Sequence, residues 1–114
     1  MEGYELAKKI TELAIDKKGS DIKIIDIKKL RLSFDYFVLI SGTVDQHIKA
    51  LSEYIRKELS REDVKPIGYE GQSNLRWVIL DYVDVVVHIF DEQTRALYKL
   101  ESLWTDVDIE TVEL

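Results

Sequence analysis

Residues 75–90 read LRWVILDYVDVVVHIF, and the rest of the chain is organised around them. It predicts two strands that fold back on each other, with Asp81 and Asp84 flanking a tight turn made by Tyr82 and Val83. Antiparallel pairing then sets four pairs of residues opposite each other: Leu80 and Val85, Ile79 and Val86, Val78 and Val87, and Trp77 and His88.

This pairing gives the hairpin two different faces. One is uniformly apolar and predicts core; it carries Val78, Leu80, Val85, Val87 and Ile89. The other is mixed and carries Trp77, Ile79, Asp81, Asp84, Val86 and His88. A mixed face with aromatic, charged and exposed aliphatic side chains is typical of a protein-binding surface, because aromatic anchors supply affinity and polar groups fix register. The alternative is the ordinary polar face of a half-buried sheet, with the Trp packed under a neighbouring helix.

The composition indicates one small globular protein. The chain has 114 residues, of which 46% are hydrophobic and 33% charged, as in ordinary soluble domains. It contains no apolar run long enough to span a membrane and no signal-peptide pattern, so we expect a cytoplasmic protein. The absence of cysteine excludes disulfides, thiolate metal sites and cysteine nucleophiles.

The chain is acidic, with a net charge of −6 and a pI of about 4.9. Such a charge repels phosphate backbones, so direct nucleic-acid binding is disfavoured as the main contact, and a basic protein is the better partner. The acidic excess is concentrated after residue 105. We therefore expect one α/β domain over residues 1–105, followed by residues 106–114 as an acidic tail or an extra edge strand.

The remaining elements follow from periodicity and turn residues. Helices are predicted over residues 4–18, 44–60 and from residue 91 onward, and strands over residues 22–27, 35–40 and 66–69 in addition to the hairpin. Thr43 and Gln46 have the spacing of a capping box at the second helix. Leu97, Leu100 and Trp104 lie on one stripe of the third. The order predicts a mixed, five-stranded sheet with helices packed on it.

One stretch of the sequence has the form of a phosphate-binding turn. The turn Ser41-Gly42-Thr43 precedes a helix, where backbone N–H groups could hold a phosphate as in nucleotidyltransferases. Those enzymes also need two acids at alternate positions on a strand to bind Mg²⁺, and the pair Asp106 and Asp108 lies far from Gly42 in sequence. We therefore predict no enzyme, and keep a nucleotide-binding or nucleotidyltransferase-type enzyme as the alternative.

The two histidines give no convincing metal site. His88 with Asp81 and Asp84 is the only candidate set, and the predicted pairing separates the imidazole from the carboxylates. His47 is expected to be a packing or capping-region residue in the first turn of the second helix. We predict no metal, no cofactor and no catalytic residue.

An ordered set of short motifs resembles one known family, the ribosomal silencing factors, also called the Iojap family. The motifs are Asp35-Tyr36-Phe37-Val38, Ser41-Gly42-Thr43, His47 with Lys49-Ala50-Leu51, Glu70-Gly71, most of residues 77–90, Arg95, and residues 98–104. They cover most of the chain in the family's order and spacing.

The resemblance implies a nucleotidyltransferase-like α/β fold without catalytic carboxylates. Family members bind protein fourteen of the large ribosomal subunit and so block its association with the small subunit sterically, with no substrate turned over. Carried over position by position, the family's surface motif falls on Trp77, Asp81, Asp84, His88, Tyr98, Glu101 and Trp104. Members are often dimers. A third hypothesis, separate from this resemblance, is a homodimeric scaffold that uses the Trp77 face on itself.

The turn of the hairpin departs from the family pattern. Family members have Gly between the Tyr and the Asp of this turn, where the present chain has Val83. A two-residue turn needs positive φ, which a β-branched residue resists. We therefore expect a wider turn or a shifted pairing of the two strands.

Overall fold

A six-stranded mixed sheet forms the centre of the computed structural model, which describes residues 1, 3–102 and 107–113. The elements are, in chain order, α1 (Gly3–Asp16), β1 (Ser20–Asp26), β2 (Tyr36–Gly42), α2 (Asp45–Arg61), β3 (Gly68–Glu70), β4 (Trp77–Asp81), β5 (Val85–Asp91), α3 (Glu92–Tyr98) and β6 (Asp108–Thr111). Single 3-10 turns lie at Lys28–Leu30 and Leu100–Ser102. The strand order in the sheet is β3-β4-β5-β2-β1-β6.

The strand β2 lies in the interior of the sheet and is buried at all seven positions. It pairs with β5 in parallel and with β1 antiparallel, and the other neighbouring strands are all antiparallel. The continuous apolar run of the sequence predicted burial on both faces, because a strand covered on both sides has no need of alternation. That prediction is confirmed.

The long helices α1 and α2 pack on one face of the sheet. Their apolar stripes, which include Leu6, Ile10, Leu51 and Ile55, are fully or almost fully buried in one core, against β1 and β2 as well as the apolar face of the hairpin. The amphipathic spacing at three and four residues explains this packing, since one stripe of each helix meets the sheet and the opposite side meets water.

The other face of the sheet has a second, smaller core. It is formed by Ile25, Ile27, Phe37, Leu39, Val86, Phe90 and Leu100. Among the described elements, the short helix α3 and the two 3-10 turns lie near it, so the described part of the chain covers this face with shorter helices than the other. None of the described helices is both long and apolar enough to cross a lipid bilayer.

Several sequence predictions of local structure need correction. The sheet has six strands, because the segment after residue 105 contributes β6, which pairs with β1. The capping box at α2 is wrong: Val44 is the N-cap, no side chain caps the helix, and the Thr43 N–H instead donates to Nδ1 of His47 at 3.0 Å.

The third helix is shorter than predicted. It ends at Tyr98 because Lys99 adopts a left-handed conformation with φ of 50°, so Leu97 and Leu100 do not share a helical stripe. Leu97 is 75% exposed, whereas Leu100 is buried in the 3-10 turn that follows. Trp104 lies outside the described residues. The start of the helix is as expected, since the Asp91 carboxylate accepts a hydrogen bond from the Thr94 N–H.

Candidate functional site

The hairpin that carries the candidate residues is paired differently from the prediction. Trp77 lies opposite Phe90 and Ile79 opposite His88, so each partner on β5 is shifted by two residues. A shift of two keeps every side chain on its predicted face, because successive strand residues point to opposite faces. The pairing was wrong, but the division into an apolar face and a mixed face is confirmed.

The turn of the hairpin explains the shift. Val83 has φ of 75°, the Asp84 N–H donates to the Tyr82 carbonyl at 3.0 Å, and the Tyr82 N–H donates to the Val85 carbonyl at 2.8 Å. This is a tight three-residue turn with positive φ at its centre, a rare and strained conformation for any residue with a Cβ. The Asp81 carboxylate supports the turn by accepting the Val83 N–H at 2.9 Å. The pairing is shifted, as expected, but the turn is not wider, and Val83 does take the positive φ that a β-branched residue was expected to resist.

An aromatic cluster forms the middle of the mixed face. The Trp77 indole Nε1–H donates to Nδ1 of His88 at 3.0 Å. The ring of Phe37 meets the His88 imidazole edge to face, with centroids 4.6 Å apart, and the ring of Tyr98 lies 4.7 Å from that of Trp77. The structure therefore brings three predicted site residues, Trp77, His88 and Tyr98, into one connected group.

Two of the predicted site residues are not exposed. Val86 is 7% exposed and His88 is 6% exposed, because the second core of the sheet packs around them. The expectation that these two side chains present themselves to solvent is wrong. Their positions on the mixed face were right, but that face is itself largely covered.

Burial controls the electrostatics of His88. It lowers the pKa of the imidazole from its ordinary 6.5 to about 4, because a charged ring is poorly solvated there. An indole can only donate, so Nδ1 of His88 must accept and the proton of the neutral ring is on Nε2. Among the described residues this buried Nε2 has no hydrogen-bond partner.

What remains accessible on the mixed face is a strip of apolar surface. Trp77 and Ile79 are partly exposed, and Tyr98 is 52% exposed where it lies against Trp77. We call the accessible parts of Trp77, Ile79 and Tyr98 the Trp77 surface. Asp81 and Asp84 lie at the turn end of the same hairpin, and neither forms an ion pair with any described residue.

Glu101 is used inside the protein. Its Oε2 accepts from Arg95 Nη2 at 3.0 Å and from Lys23 Nζ at 3.4 Å. Burial alone would raise the pKa of Glu101, but the hydrogen bond and charge of Arg95 outweigh it and hold the pKa below its usual value. The Glu101 carboxylate, which was predicted to meet a basic partner, is therefore already neutralised by two cations of this chain. Trp104, the remaining predicted site residue, lies outside the described residues.

Arg95 has a structural role that the sequence does not indicate. This side chain is 5% exposed, and its Nη1 donates to the Asp21 carbonyl at 2.6 Å and to the Ser41 hydroxyl at 2.9 Å. It thus joins α3, β1, β2 and the turn that holds Glu101, beside a pocket of about 510 Å³. Nothing in the sequence around Arg95 predicts that this arginine is buried, because charged residues on short helices are usually exposed. The network is therefore visible only in the tertiary structure.

Two polar groups of the turn before α2 that could meet a phosphate are already used within the protein. The Thr43 N–H is bonded to His47, whose Nε2 lies 2.8 Å from the Lys17 carbonyl, and the Ser41 hydroxyl is bonded to Arg95. A Cβ at Gly42 would lie 2.9 Å from Ile48, so the glycine is needed for close packing of α2. No group of three or more potential metal ligands occurs within the described part of the chain.

Comparison with known proteins gives one consistent result. A family model described as "Ribosomal silencing factor during starvation" matches residues 1–114. The chain is 32% identical over 114 residues to the ribosomal silencing factor of Halalkalibacterium halodurans, covering 100% of this chain and 96% of that protein. It is 35% identical over 104 residues to the factor of Chromobacterium violaceum, covering 91% and 85%.

Solved structures agree with the sequence comparison. A crystal structure of a protein from Chromobacterium violaceum superimposes with a TM-score of 0.87 at 35% identity, covering 91% of this chain and 87% of that one. A second, from Bacillus halodurans, gives a TM-score of 0.81 at 31% identity, covering 98% and 100%. The similarity therefore extends over nearly the whole sheet and its helices.

Proposed function

Since the chain belongs to the family of ribosomal silencing factors, we propose that it represses translation by binding protein fourteen of the large ribosomal subunit. In this proposal the bound chain occupies the place where the small subunit would dock, and subunit association is blocked sterically. The protein turns over no substrate and needs neither metal nor cofactor. The family names support a translation repressor that works on the ribosome, and the partner and the blocking step are our inference.

The Trp77 surface is the observation that supports a protein partner. Trp77 is held by its hydrogen bond to His88 and lies beside the ring of Tyr98, so its orientation is fixed before any partner arrives. A rigid aromatic side chain loses little conformational entropy on binding, which is why such residues dominate interface energies. His88 contributes by holding Trp77 through this hydrogen bond, and Val86 contributes only to the core of the same face.

Charge complementarity supports a basic partner. The whole chain carries −6, and Asp81 and Asp84 are carboxylates without an ion-pair partner among the described residues. Unpaired acids beside an apolar strip supply orientation and faster association with a positively charged protein. Glu101, which the two internal cations neutralise, has a structural role in this proposal.

The test is co-sedimentation with purified large ribosomal subunits, followed by light scattering of subunit association. We expect the chain to pellet with large subunits and to reduce the association of added small subunits. Pelleting should weaken as salt is raised, because part of the attraction is electrostatic. If the chain stays in the supernatant at low salt, the proposal fails. If it pellets without slowing subunit association, the blocking mechanism fails while the binding stands.

The Trp77 surface could instead bind a second copy of the chain and form a homodimer. Analytical ultracentrifugation over a range of protein concentrations measures this directly. A mass that rises with concentration and falls back to the monomer in Trp77→Ala would indicate that the surface binds a second copy. A mass that stays monomeric leaves the surface free for the ribosomal partner.

A further inference from the structure

A second pocket lies on the opposite side of the sheet from the Trp77 surface. It opens between the C-terminal half of α2 and the edge strand β3 and has a volume of about 480 Å³. The residues that line it are Arg56, Ser60, Lys65, Pro66, Ile67, Gly68 and Tyr69. Tyr69 packs against the core beneath α1 and α2, which places the pocket on that face of the sheet.

The charges of this pocket differ from those of the chain as a whole. The chain has 22 acidic and 16 basic residues, yet two cations and no acid line the pocket. Some cations elsewhere in the described ranges do pair with acids, as Lys8 does with Glu110 and Arg61 with Glu58. Neither the Arg56 side chain nor the Lys65 side chain forms an ion pair or a hydrogen bond with a described residue.

The guanidinium of Arg56 is nevertheless held in place. It stacks over the ring of Tyr69 with its central carbon 4.1 Å from the ring centroid, a contact that fixes the plane of the group. Its buried Nε has no hydrogen-bond partner among the residues described, and the buried hydroxyl of Tyr82 has none either. Burial raises the pKa of Tyr82 to about 12, against the opposing charge of Arg56, so this hydroxyl keeps its proton as a donor.

We propose that Arg56 and Lys65 form a binding site for a phosphate group in the pocket between α2 and β3. A phosphate group carries up to two negative charges and several acceptor oxygens, which match two cations and the Ser60 hydroxyl better than a single carboxylate would. The planar fork of Arg56 binds two oxygens and Lys65 supplies a point charge. The phosphate belongs either to a small free compound or to an RNA backbone, and the two sources share this chemistry.

The test uses the full chain with three probes: inorganic phosphate, pyrophosphate and a short single-stranded RNA. Each is titrated at constant ionic strength, with chloride as the reference, by calorimetry and by thermal unfolding. A ligand that binds only the folded chain raises the melting temperature in a saturable way. Phosphate or pyrophosphate binding assigns the site to free phosphate compounds, and RNA binding alone assigns it to an RNA backbone.

Variants decide whether the binding occurs at this pocket. Arg56→Gln and Lys65→Gln should each weaken binding by about tenfold or more, because each removes a charge-assisted contact. Lys57→Gln, an exposed neighbour on α2 that does not line the pocket, should change binding by less than about twofold. Lys65 lies in a loop, so its variant tests the site even if Arg56→Gln folds poorly. No saturable binding of any probe, or equal binding by Lys65→Gln and Lys57→Gln, overturns the proposal.

Discussion

The indole Nε1–H of Trp77 donates a hydrogen bond to Nδ1 of His88 across neighbouring strands, at 3.0 Å. His88 is buried while Trp77 keeps part of its ring accessible. One side chain therefore belongs to the interior and the other to the surface, and the hydrogen bond between them ties the surface residue to the core.

We expect Trp77→Ala to weaken binding to the large subunit by more than about 2 kcal/mol, as for a central interface residue. Trp77→Ala also leaves Nδ1 of His88 without its hydrogen bond, so it can change stability as well as binding. Tyr98→Ala avoids this, because Tyr98 is 52% exposed. We expect Tyr98→Ala to lower the affinity for the large subunit with little effect on the free energy of unfolding. Val44→Ala, at a residue 60% exposed near the start of α2, is the control. Full affinity in both aromatic variants with an intact fold would exclude the Trp77 surface as the binding site.

His88 should make the stability of the fold depend on pH. Its folded pKa of about 4 lies below the ordinary 6.5, so the unfolded chain binds a proton more readily than the folded chain. The stabilisation is complete above pH 6.5 and is lost as the pH falls toward 4, with a total of about 3 kcal/mol. Urea unfolding of the wild type and of His88→Phe across this range measures the difference. Parallel pH profiles for the two proteins would contradict the prediction.

Gly71→Ala should be strongly destabilising. Gly71 has φ of 89°, and a Cβ there would lie 1.9 Å from the Trp77 carbonyl oxygen, so both the turn and the start of β4 would have to move. We expect a loss of more than about 2 kcal/mol in the free energy of unfolding. Gly68→Ala is the matched control, because its Cβ would meet only Asp81 at 3.5 Å. A similar loss in both variants would show that the close approach to Trp77 is not the cause.

Val83→Gly should stabilise the protein. A β-branched residue at φ of 75° is strained, and glycine adopts this φ without strain. Glycine also makes the unfolded chain more flexible, but we expect this entropic cost to be smaller than the strain that is relieved. We expect a gain of about 1 kcal/mol in thermal or urea unfolding. Ile67→Gly, at another exposed β-branched residue without positive φ, should instead be neutral or destabilising. Destabilisation by Val83→Gly would mean that the turn is not strained.

Glu101→Gln should destabilise the chain by about 2 kcal/mol, because it weakens the charge-assisted hydrogen bonds of the buried Arg95. Glu92→Gln is the control, since Glu92 is exposed and lines the same pocket without pairing with Arg95. Chemical denaturation of both variants provides the comparison. If Glu101→Gln lowers affinity for the large subunit and leaves stability unchanged, Glu101 is an interface residue as the sequence first suggested.

The features that the sequence predicted well depend on local alternation and apolar runs. The buried strand β2 and the two faces of the hairpin follow from such patterns, whatever the pairing partner. The exact partners depended on one turn, where Val83 takes a conformation that its residue type disfavours. No local rule predicts that choice, because the strain is compensated by the rest of the sheet.

The features that the sequence missed depend on distant contacts. A histidine and an arginine are normally expected near water, yet His88 lies under Phe37 and Arg95 reaches Ser41 on another strand. The sequence also contains no signal that α3 ends before Lys99, because the left-handed residue that ends a helix is usually glycine and here it is lysine. Each of these three cases is decided by packing rather than by propensity.

The parallel pairing of β2 with β5 also has a consequence for the order of folding. The antiparallel partners β1 and β2 are near neighbours in sequence, as are β4 and β5, so both units can form early from short-range contacts. The pairing of β2 with β5 instead joins them across α2 and β3, which requires closure of a long loop. We therefore expect this docking to limit the folding rate, so that a change such as Val87→Ala slows refolding more than a comparable change in α1.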